Sequence, residues 1–405
     1  MKILFLTDNF PPEVNAPATR TFEHCVEWVK AGADVTVITC APNFPQGKLY
    51  PGYKNRLVHR ETMDKITVIR VWTYMAENTG FYKRTVDYLS FMVSSFFAGL
   101  PIQTDIIIAT SPQFFTAVSG YLLSLCKRTP WIMEVRDLWP DSVIGVGAVK
   151  KSWMLSFFYR LEKWLYRSAN VIVPVTETFK KEIIKKGIEP AKIHVIKNGS
   201  NLDLFSPREP NKYLKEKLLL TDRIVVSYIG THGMAHGLEF IVSCAGELDR
   251  HNISLLFIGD GARKREIVEL SKKLNLKNVV FLDPVPKEQI PDYLSVTDVS
   301  LVPLIKAGIF TTVIPSKIFE SAAMEIPILL GVDGEAKSLI EKYQAGLFFQ
   351  PENKPDFVEK MLKLVQDKEF YQQCKIGGRQ LASDFDRKKL AINFLNLLSE
   401  TTRVA

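Results

Sequence analysis

Short apolar runs rich in β-branched residues alternate with helix-length segments along nearly all of the 405 residues. Near-continuous runs of this kind are typical of strands buried on both faces of a parallel sheet, and the helix-length segment after each run completes a βαβ unit. Seven runs form a first series: Lys2–Thr7, Asp34–Thr39, Ile66–Val71, Asp105–Ala109, Trp131–Val135, Val171–Val175 and Ile193–Ile196. Six runs form a second series: Ile224–Ile229, Ser254–Ile258, Asn278–Leu282, Asp298–Val302, Ile326–Leu330 and Gly346–Phe349. The alternation predicts an α/β protein with two parallel sheets covered by helices.

The segment of residues 201–221 separates the two series and contains two prolines, mixed charge and no strand pattern. We therefore predict two doubly wound, Rossmann-like domains that face a cleft. The first domain spans residues 1–205 and the second residues 206–385, and a helix over residues 386–405 crosses back to the N-terminal domain. In open sheets of this type, ligands bind beyond the carboxyl ends of the strands.

The first crossover helix is predicted at Ala16–Ala31, and Gly32 follows as a helix stop. Phe22, Val26 and Val29 recur at helical spacing within it. We expect these three apolar side chains to face the sheet.

The composition, 46% hydrophobic and 24% charged, is that of a globular protein and excludes a collagen-like or largely disordered chain. The five cysteines lie far apart without a CxxC pair, which argues against a zinc cage or a disulfide framework and fits a reducing cytoplasm. Asp8 interrupts the N-terminal apolar run too early for a secretory signal, and no run reaches the ~18 apolar residues of a membrane span. We expect a cytoplasmic protein that is not integral to a membrane.

Positive charge is concentrated in the N-terminal half of the chain. Residues 1–205 contain 25 basic and 18 acidic residues, whereas residues 206–405 contain 27 and 26. This excess favours an anionic partner, such as phosphate groups, nucleic acid or the inner leaflet of a membrane, and solvated Lys-rich helix faces are the alternative. Neither aromatic stacking motifs nor a recognition helix are found, so no nucleic acid is expected as a partner.

A glycine-rich turn, Tyr228–Gly237, follows a predicted strand and precedes a predicted helix. Glycines at such a turn let backbone N–H groups approach an anion at the helix N-terminus, although close packing of strand and helix also selects glycine. His232 and His236 are four residues apart, but Gly233 and Gly237 do not fit a helical metal pair. We expect no metal site here.

Two further segments carry residues suited to a polar ligand. Gly259, Asp260 and Gly261 end the next predicted strand, where the aspartate can fix a tight turn. Lys317 falls in the first turn of a helix opened by Pro315, where a cation opposes the helix dipole and a bound anion would compensate it. The alternative for Lys317 is an ion pair with the residue three positions later.

In their order along the chain these motifs resemble a GT-B fold glycosyltransferase of family 4, in the branch of lipopolysaccharide and capsule N-acetyl-sugar transferases, including N-acetyl-L-fucosamine-type enzymes. The resemblance covers nearly the whole chain. Further matching segments are Phe10–Arg20, Thr110–Phe114, Val135–Ser142, Val195–Phe205, Phe281–Val285 and Pro315–Pro327.

The resemblance implies that the C-terminal domain binds a UDP-sugar donor and that the N-terminal domain binds the acceptor. The implied donor-binding residues are Gly230, Thr231, His232, Gly233, Asp260, Val285, Ser316, Lys317 and Glu320. Among them the glycine loop and Ser316-Lys317 would hold the diphosphate, Glu320 the ribose, and the backbone at Pro284–Val285 the base. Since no DxD-type carboxylate pair lies near these loops, we expect metal-independent transfer without a cofactor, with Lys317 stabilising the leaving diphosphate.

The sequence departs from the family pattern at two places. An Arg and a Lys common in the first C-terminal loop are replaced, by Thr231 or His232 and by Ala235 or His236. Thr312 stands where many members have the first of two glutamates, a residue that normally touches the donor sugar. The change suggests a different sugar, such as a 6-deoxy N-acetylhexosamine, and leaves retention or inversion at the anomeric carbon open.

The acceptor side is expected at the end of the fifth strand. Asp137 is a candidate to accept the proton of the acceptor hydroxyl, or else a helix cap, and Arg136 could hold a phosphate. Glu134 is a weaker candidate because it falls within the strand. Asn15 and Arg20, at the start of the first helix, are the other implied acceptor contacts.

The segment of residues 81–100 predicts attachment to a membrane surface. Six aromatic residues, Phe81, Tyr82, Tyr88, Phe91, Phe96 and Phe97, lie in it near the cations Lys83 and Arg84. A helix of this composition suits the headgroup boundary of anionic lipid, and burial of its phenylalanines against the sheet or a neighbouring chain is the alternative. We expect the chain at the cytoplasmic face of the cell membrane, where it would meet an acceptor saccharide carried on a polyprenyl diphosphate.

Transfer of a sugar in O-antigen or capsule biosynthesis is the function favoured by these features. A GT-B fold UDP-sugar epimerase and a non-catalytic nucleotide-binding homologue are the alternatives. An NAD-dependent oxidoreductase is not supported, because Asn9–Glu13, rather than a GxGxxG loop, follows the first strand.

Overall fold

The computed structural model describes residues 1–44, 47–75, 81–111, 113–141 and 153–404. The chain divides into two compact units: unit 1 comprises Met1–Asn198 and Arg387–Ala405, and unit 2 comprises Gly199–Asp386. No helix in the described ranges has the length and apolarity needed to cross a membrane.

Unit 1 is built on a sheet whose described strands are seven in number. They are β1 Lys2–Leu6, β2 Asp34–Cys40, β3 Val58–Met63, β4 Ile66–Val71, β5 Ile106–Thr110, β6 Trp131–Val135 and β7 Val171–Pro174. The order is β3-β4-β2-β1-β5-β6-β7, and every pairing is parallel except that of β3 with β4. Since the order reverses between β1 and β5, the loops after these two strands flank the crevice where such sheets bind ligands.

Helices cover both faces of this sheet. They are α1 Ala16–Lys30, α2 Phe81–Gly99, α3 Phe114–Lys127, α4 Trp153–Ser168 and α5 Glu177–Lys185, with a 3₁₀ turn at Pro190–Lys192. The predicted strand at Ile193–Ile196 is not a ladder strand, because only Ile193 bridges to β7.

Unit 2 contains a second sheet, parallel throughout its described strands. These are β8 Ile224–Ile229, β9 Ile253–Ile258, β10 Val279–Leu282, β11 Val299–Pro303, β12 Ile328–Gly331 and β13 Gly346–Phe348. The order is β10-β9-β8-β11-β12-β13, so the reversal lies between β8 and β11. The helices of this unit are α6 Lys212–Lys217, α7 Leu238–Asp249, α8 Lys264–Lys273, α9 Ile290–Ser295, α10 Lys317–Ala323, α11 Glu335–Tyr343, α12 Lys354–Gln366 and α13 Lys368–Asp384.

The last helix, α14 (Arg387–Val404), belongs to unit 1 and packs on α1. The indole N–H of Trp28 donates to the backbone C=O of Ala391 at 2.7 Å, and the Trp28 ring meets Phe394 edge to face at 5.4 Å between centroids. Because α1 is covered by α14 as well as by the sheet, six of its residues are buried: Ala18, Arg20, Thr21, His24, Cys25 and Trp28. The three apolar residues predicted to face the sheet are only partly buried.

Candidate functional site

The loops at the reversal point of unit 2 bring the glycine-rich turn next to the start of α10. β8 ends at Ile229 and the glycine-rich loop follows it, with a 3₁₀ turn at Met234–His236 before α7. β11 pairs with β8 and leads, through a second 3₁₀ turn at Gly308–Thr312, to α10. Both loops leave the carboxyl edge of the sheet, where ligands of such sheets bind.

Backbone packing explains the glycines of these loops. Gly259 has φ +146°, and a Cβ added there would lie 1.9 Å from the carbonyl oxygen of Gly230. A Cβ on Gly261, at φ +155°, would lie 2.6 Å from the carbonyl oxygen of His232. Asp260 fixes the turn, since its Oδ1 accepts from the N–H of Gly261 at 2.8 Å, and its side chain stays exposed. The loops after β8 and β9 therefore touch backbone to backbone.

Lys317 reaches across to this loop. Its Nζ lies 3.8 Å from the centroid of the Tyr228 ring, and 3.0 Å from where a Cβ on Gly230 would stand. The Tyr228 hydroxyl donates to the backbone C=O of Thr231 at 2.7 Å, which fixes the ring under the ammonium group. Burial lowers the pKa of Lys317 to about 7, while the neighbouring Glu320 acts to raise it. An anion beside Nζ would restore the charge of this lysine.

The two histidines of the loop supply no positive charge at neutral pH. Burial lowers the pKa of His232 to about 4, and the nearby cation Lys264 adds to that shift. Burial likewise lowers the pKa of His236 to about 4, and Lys317 contributes. Whether the usual basic pair of the family is replaced by these histidines or by Thr231 and Ala235, the replacements are uncharged. Lys317, over the Tyr228 ring, is the cation that we consider for an anion.

His232 lies under the loop rather than on its open side. It is fully buried, and neither ring nitrogen has a hydrogen-bond partner among the described residues. Its N–H donates to the C=O of Asp260 at 2.8 Å, and its C=O accepts from the N–H of Arg263 at 2.9 Å. The donor contact implied for His232 by the resemblance is corrected accordingly, because this residue presents no free polar group to the surface.

The remaining donor-side residues surround the same edge. Ser316 precedes α10 and Glu320 lies in its first turn, and both side chains are half-buried. Val285 packs on the apolar cluster beneath the loop after β10, beside Ile258. Lys264 Nζ ties that loop to α8, since it donates to Asp283 Oδ1 at 2.6 Å. Thr312 closes the 3₁₀ turn that leads to α10.

In unit 1, Arg20 has a structural role. Its Nε donates to Glu134 Oε1 at 2.9 Å, and both side chains are about 1% exposed. Its terminal nitrogens donate to the backbone C=O of Ile196 at 2.8 Å and of Lys197 at 2.6 Å. Burial alone would raise the pKa of Glu134, but the guanidinium of Arg20 holds it below its usual value. The expected acceptor contacts of Arg20 and Glu134 are corrected: the pair ties α1 to β6 inside the unit.

Asn15 also serves the local structure. Its Oδ1 accepts from the N–H of Ala18 at 2.9 Å, which caps α1, and its Nδ2 donates to Asn9 Oδ1 at 2.6 Å. Because both the oxygen and the nitrogen of this side-chain amide are hydrogen-bonded, its main role in the structure is to cap the helix. The acceptor contact implied for Asn15 would have to share these groups.

Arg136 and Asp137 lie where β6 ends. The Arg136 guanidinium donates to the backbone C=O groups of Ala16 and Pro17, each at 3.0 Å, so it fastens this loop to the start of α1. The backbone N–H groups of both residues donate to Ser111 Oγ, at 2.8 Å and 3.2 Å. Asp137 is half-buried at the carboxyl edge of the sheet, a position from which a carboxylate can meet a ligand.

A group of carboxylates that the motifs did not single out lies at the same edge. Asp8 lies two residues after the end of β1, and burial together with Asp87 raises its pKa to about 7. Burial also raises the pKa of Asp87 and of Glu13 to about 7, although Glu13 Oε1 accepts from the N–H of Asn43 at 2.8 Å. The place of Asp8, directly after the predicted strand Lys2–Thr7 at the reversal point, is the sequence signal that could have found it.

Comparison with known proteins covers both units. Residues 15–199 match the family model Glycosyl transferase 4-like domain, and residues 211–381 match the model Glycosyl transferases group 1. The glycosyl transferase WcaI of Escherichia coli (strain K12), named for colanic acid biosynthesis, is 26% identical over 353 residues, which are 85% of this chain and 84% of WcaI.

Solved structures show the same architecture. Sucrose-phosphate synthase from Thermosynechococcus elongatus matches with a TM-score of 0.77 at 16% identity, over 100% of both chains. HepE from Anabaena, in complex with UDP and glucose, matches with a TM-score of 0.72 at 16% identity, over 99% of this chain and 100% of HepE. The predicted pair of Rossmann-like domains and the GT-B fold are thus confirmed. Residues 15–199 thus form a glycosyl transferase 4-like domain and residues 211–381 a group 1 glycosyltransferase domain, and the chain is a glycosyltransferase.

Proposed function

We propose that this glycosyltransferase moves a sugar from a UDP-sugar to a saccharide carried on a polyprenyl diphosphate, in the synthesis of a bacterial surface polysaccharide such as O-antigen or capsule. The observation that carries the proposal is the Lys317 ammonium group, held over the Tyr228 ring beside Gly230 at the reversal point of a parallel sheet. The name of WcaI, in colanic acid biosynthesis, supports the polysaccharide context. The UDP bound by HepE supports the choice of nucleotide.

In the donor half of the reaction, the bond between the anomeric carbon and the β-phosphate oxygen breaks and its electron pair stays on the diphosphate. The charge that develops there needs a cation or N–H dipoles fixed in advance. Lys317 supplies the cation, and its contact with the dianion would shift this lysine towards its charged form. Ser316 and the glycine-rich loop complete the proposed diphosphate site, with Glu320 at the ribose.

In the acceptor half, the hydroxyl oxygen of the acceptor forms the new bond and its proton passes to a base. Asp137 is our proposed base or acceptor holder, with Arg136 as the group that positions its loop. Asp8 is a second candidate, because a pKa of about 7 suits a general base at neutral pH. The anomeric configuration of the product, read by NMR, separates retention from an inverting reaction that requires such a base.

The sugar is proposed to be a 6-deoxy N-acetylhexosamine, such as N-acetyl-L-fucosamine, because Thr312 occupies a place where many relatives have a glutamate. A hydroxyl and a methyl group form a weaker, less polar contact to a sugar hydroxyl than a carboxylate does. The lipid-linked acceptor would place the enzyme at the cytoplasmic face of the cell membrane.

The test is to incubate the protein with a panel of UDP-sugars and a lipid extract of bacterial membranes, and to analyse lipid products by mass spectrometry. We expect a glycolipid from one UDP-sugar, with a deoxy N-acetylhexosamine donor as the best substrate. Conversion of a UDP-sugar without any acceptor would instead assign the chain to the epimerases, and UDP binding without turnover would assign it to the non-catalytic homologues.

A further inference from the structure

Three helices of unit 1 form one layer on its sheet. α2 packs on α3, where the hydroxyl groups of Ser95 and Ser119 are hydrogen-bonded at 2.9 Å. α3 packs on α4, where the rings of Tyr121 and Trp164 lie 4.3 Å apart. The side of this layer that faces away from the sheet is called here the α2–α3–α4 face.

Apolar side chains dominate that face. Its large exposed apolar residues are Val86, Leu89, Val93 and Phe97 of α2, Leu100 just after it, Leu122 and Leu125 of α3, and Phe157 and Trp164 of α4. Phe97 is 63% exposed and Leu125 is 56% exposed, whereas the serines Ser95 and Ser119 are buried. On α2 the ordinary arrangement of a helix in a water-soluble protein, polar outside and apolar inside, is thus reversed along one stripe.

The aromatic residues predicted to lie at a membrane differ in their exposure to solvent. Phe91 is fully buried and Phe97 is exposed. The side chains of Phe81 and Tyr82 lie outside the described part of the chain. The exposed stripe is therefore carried mainly by aliphatic residues, which the count of aromatic residues did not indicate.

The same three helices expose cations but no carboxylates among their described residues. On α4 the exposed stripe alternates an aromatic ring with a guanidinium group: Phe157, Arg160, Trp164 and Arg167. α2 begins with the exposed Lys83, and Arg128 is exposed at the end of α3. A mixture of apolar side chains and long cations is typical of helices that lie at a lipid headgroup boundary.

The two carboxylates of these helices do not offset the exposed cations. Asp87 is partly buried, and burial raises its pKa to about 7. Glu162 is buried and bonded to Lys186, whose Nζ lies 2.7 Å from its Oε1. Both acidic groups of α2, α3 and α4 are therefore withdrawn from the surface or paired.

We infer that the α2–α3–α4 face docks on an anionic lipid bilayer, with its apolar stripe in the headgroup boundary and its cations among lipid phosphates. Large exposed apolar patches mark a binding surface, and the positive charge around this one selects a negatively charged partner. A second copy of the chain is disfavoured, because a twofold interface would bring the same cations together. The inference rests on the proposed function, because access to a lipid-linked acceptor is the reason for the enzyme to bind a membrane. Membrane binding can nevertheless be tested without measuring sugar transfer.

The test is flotation of the full chain with phosphatidylcholine vesicles, with and without phosphatidylglycerol, at low and high salt. Wild-type protein should float with the anionic vesicles at low salt and be released by high salt. Replacing Arg160 and Arg167 by glutamate should lower vesicle affinity by about 25-fold or more, at about fivefold for each cation removed. Val93→Asp with Phe97→Asp should also abolish flotation, because two carboxylates would replace apolar side chains that insert at the acyl boundary, and anionic lipid would repel them.

Matched substitutions in unit 2 provide the controls. Lys272→Glu with Lys273→Glu removes two exposed cations from α8, and Leu274→Asp with Ile376→Asp alters two exposed apolar residues. Each control should float as wild type does. All variants should keep wild-type UDP affinity and thermal unfolding, which shows that they are folded.

The outcomes separate this inference from the proposed function. Wild-type protein that ignores anionic vesicles at low salt overturns the inference, even if it transfers sugar to a short-chain, water-soluble acceptor. Equal flotation of the wild type and the α2–α3–α4 variants also overturns it. A concentration-dependent dimer that Val93→Asp with Phe97→Asp abolishes, in protein that does not float, assigns the face to a second copy instead. Flotation that depends on this face, in protein with no transfer activity, supports the inference and counts against the proposed function.

Discussion

Replacing Lys317 by methionine should make unit 2 more stable and the enzyme nearly inactive. Methionine keeps most of the length and apolar surface of the lysine and removes its charge. The ammonium group lies over the Tyr228 ring, where burial lowers its pKa from 10.5 to about 7. At this position the charged form of the lysine destabilises the folded protein while no ligand is bound, and it stabilises a diphosphate that binds beside it.

The size of the stability change follows from this pKa. A lysine whose pKa is lowered on folding destabilises the folded state below its unfolded pKa, and the penalty is complete below its folded pKa. At 1.36 kcal/mol for each pKa unit, the penalty at pH 7 is at most about 4 kcal/mol. The contact with Tyr228 offsets about 1 to 2 kcal/mol of this. We expect Lys317→Met to raise the free energy of unfolding by about 2 kcal/mol at pH 7, and the difference to vanish as the pH approaches 10.5.

The loss of activity follows from the chemistry. Removal of one group that stabilises a developing anion lowers kcat by about 10² to 10³, or about 3 to 4 kcal/mol in the barrier. Urea unfolding between pH 6 and 10, together with UDP release in the presence of acceptor, measures both effects. Lys363→Met is the control, since Lys363 Nζ also lies over an aromatic ring, that of Phe370 at 5.1 Å, but on the exposed side of α12.

A Lys317→Met protein that is less stable than wild type at pH 7 would refute the electrostatic reasoning. Near-wild-type turnover of a folded Lys317→Met protein would refute the catalytic role. Parallel losses in Lys363→Met would show that the effect is a general one of removing a lysine.

Four further outcomes are expected. UDP binding at pH 8 should be accompanied by the uptake of about 0.9 protons per site, because Lys317, with a pKa of about 7, is mostly deprotonated in the free enzyme and charged in the complex. Calorimetry in buffers of different ionisation enthalpy measures the uptake, and its absence would contradict a role for Lys317 in binding UDP. Asp137→Asn should lower kcat while leaving UDP affinity unchanged, and an equal loss of UDP affinity would contradict its placement on the acceptor side. If Asp8 is the base, Asp8→Asn should remove a limb near pH 7 from the profile of kcat/KM. Because folding raises the pKa of Asp8 from 3.8 to about 7, the stability gained by Asp8→Asn should grow as the pH rises from about 4 and level off above about pH 7. Gly259→Ala should destabilise unit 2 by about 3 kcal/mol or more and weaken UDP binding, because its Cβ has no room beside Gly230, whereas Gly308→Ala, whose Cβ meets nothing within 4 Å, should change little.

Most of the fold could be predicted because the strands of parallel sheets are buried on both faces and are therefore apolar along their length. β3 lacks this signal: Val58–Met63 alternates exposed and partly buried residues at the sheet edge, so it does not stand out in the sequence. The run at Ile193–Ile196 has an apolar pattern but does not form a strand of the sheet. There the carbonyl of Ile196 accepts from the Arg20 side chain, a partner that periodicity cannot reveal.

The site was predictable where chemistry and backbone geometry coincide. The glycine loop and Lys317 are brought together because their parent strands, β8 and β11, are neighbours. Which face of a helix a polar residue occupies was not predictable. Arg20 turns inward because its partner Glu134, 114 positions along the chain, lies on a buried strand. His232 is hidden because two glycines in another loop let the backbones approach.

Acceptor-dependent release of UDP is the measurement that tests the central claim most directly. Wild-type enzyme, given its UDP-sugar and a polyprenyl-diphosphate-linked saccharide, should release one UDP for each glycolipid formed. Lys363→Met should match it, and Lys317→Met should be slower by about 10² to 10³. UDP release that does not depend on the acceptor, or that persists unchanged in Lys317→Met, would contradict the account.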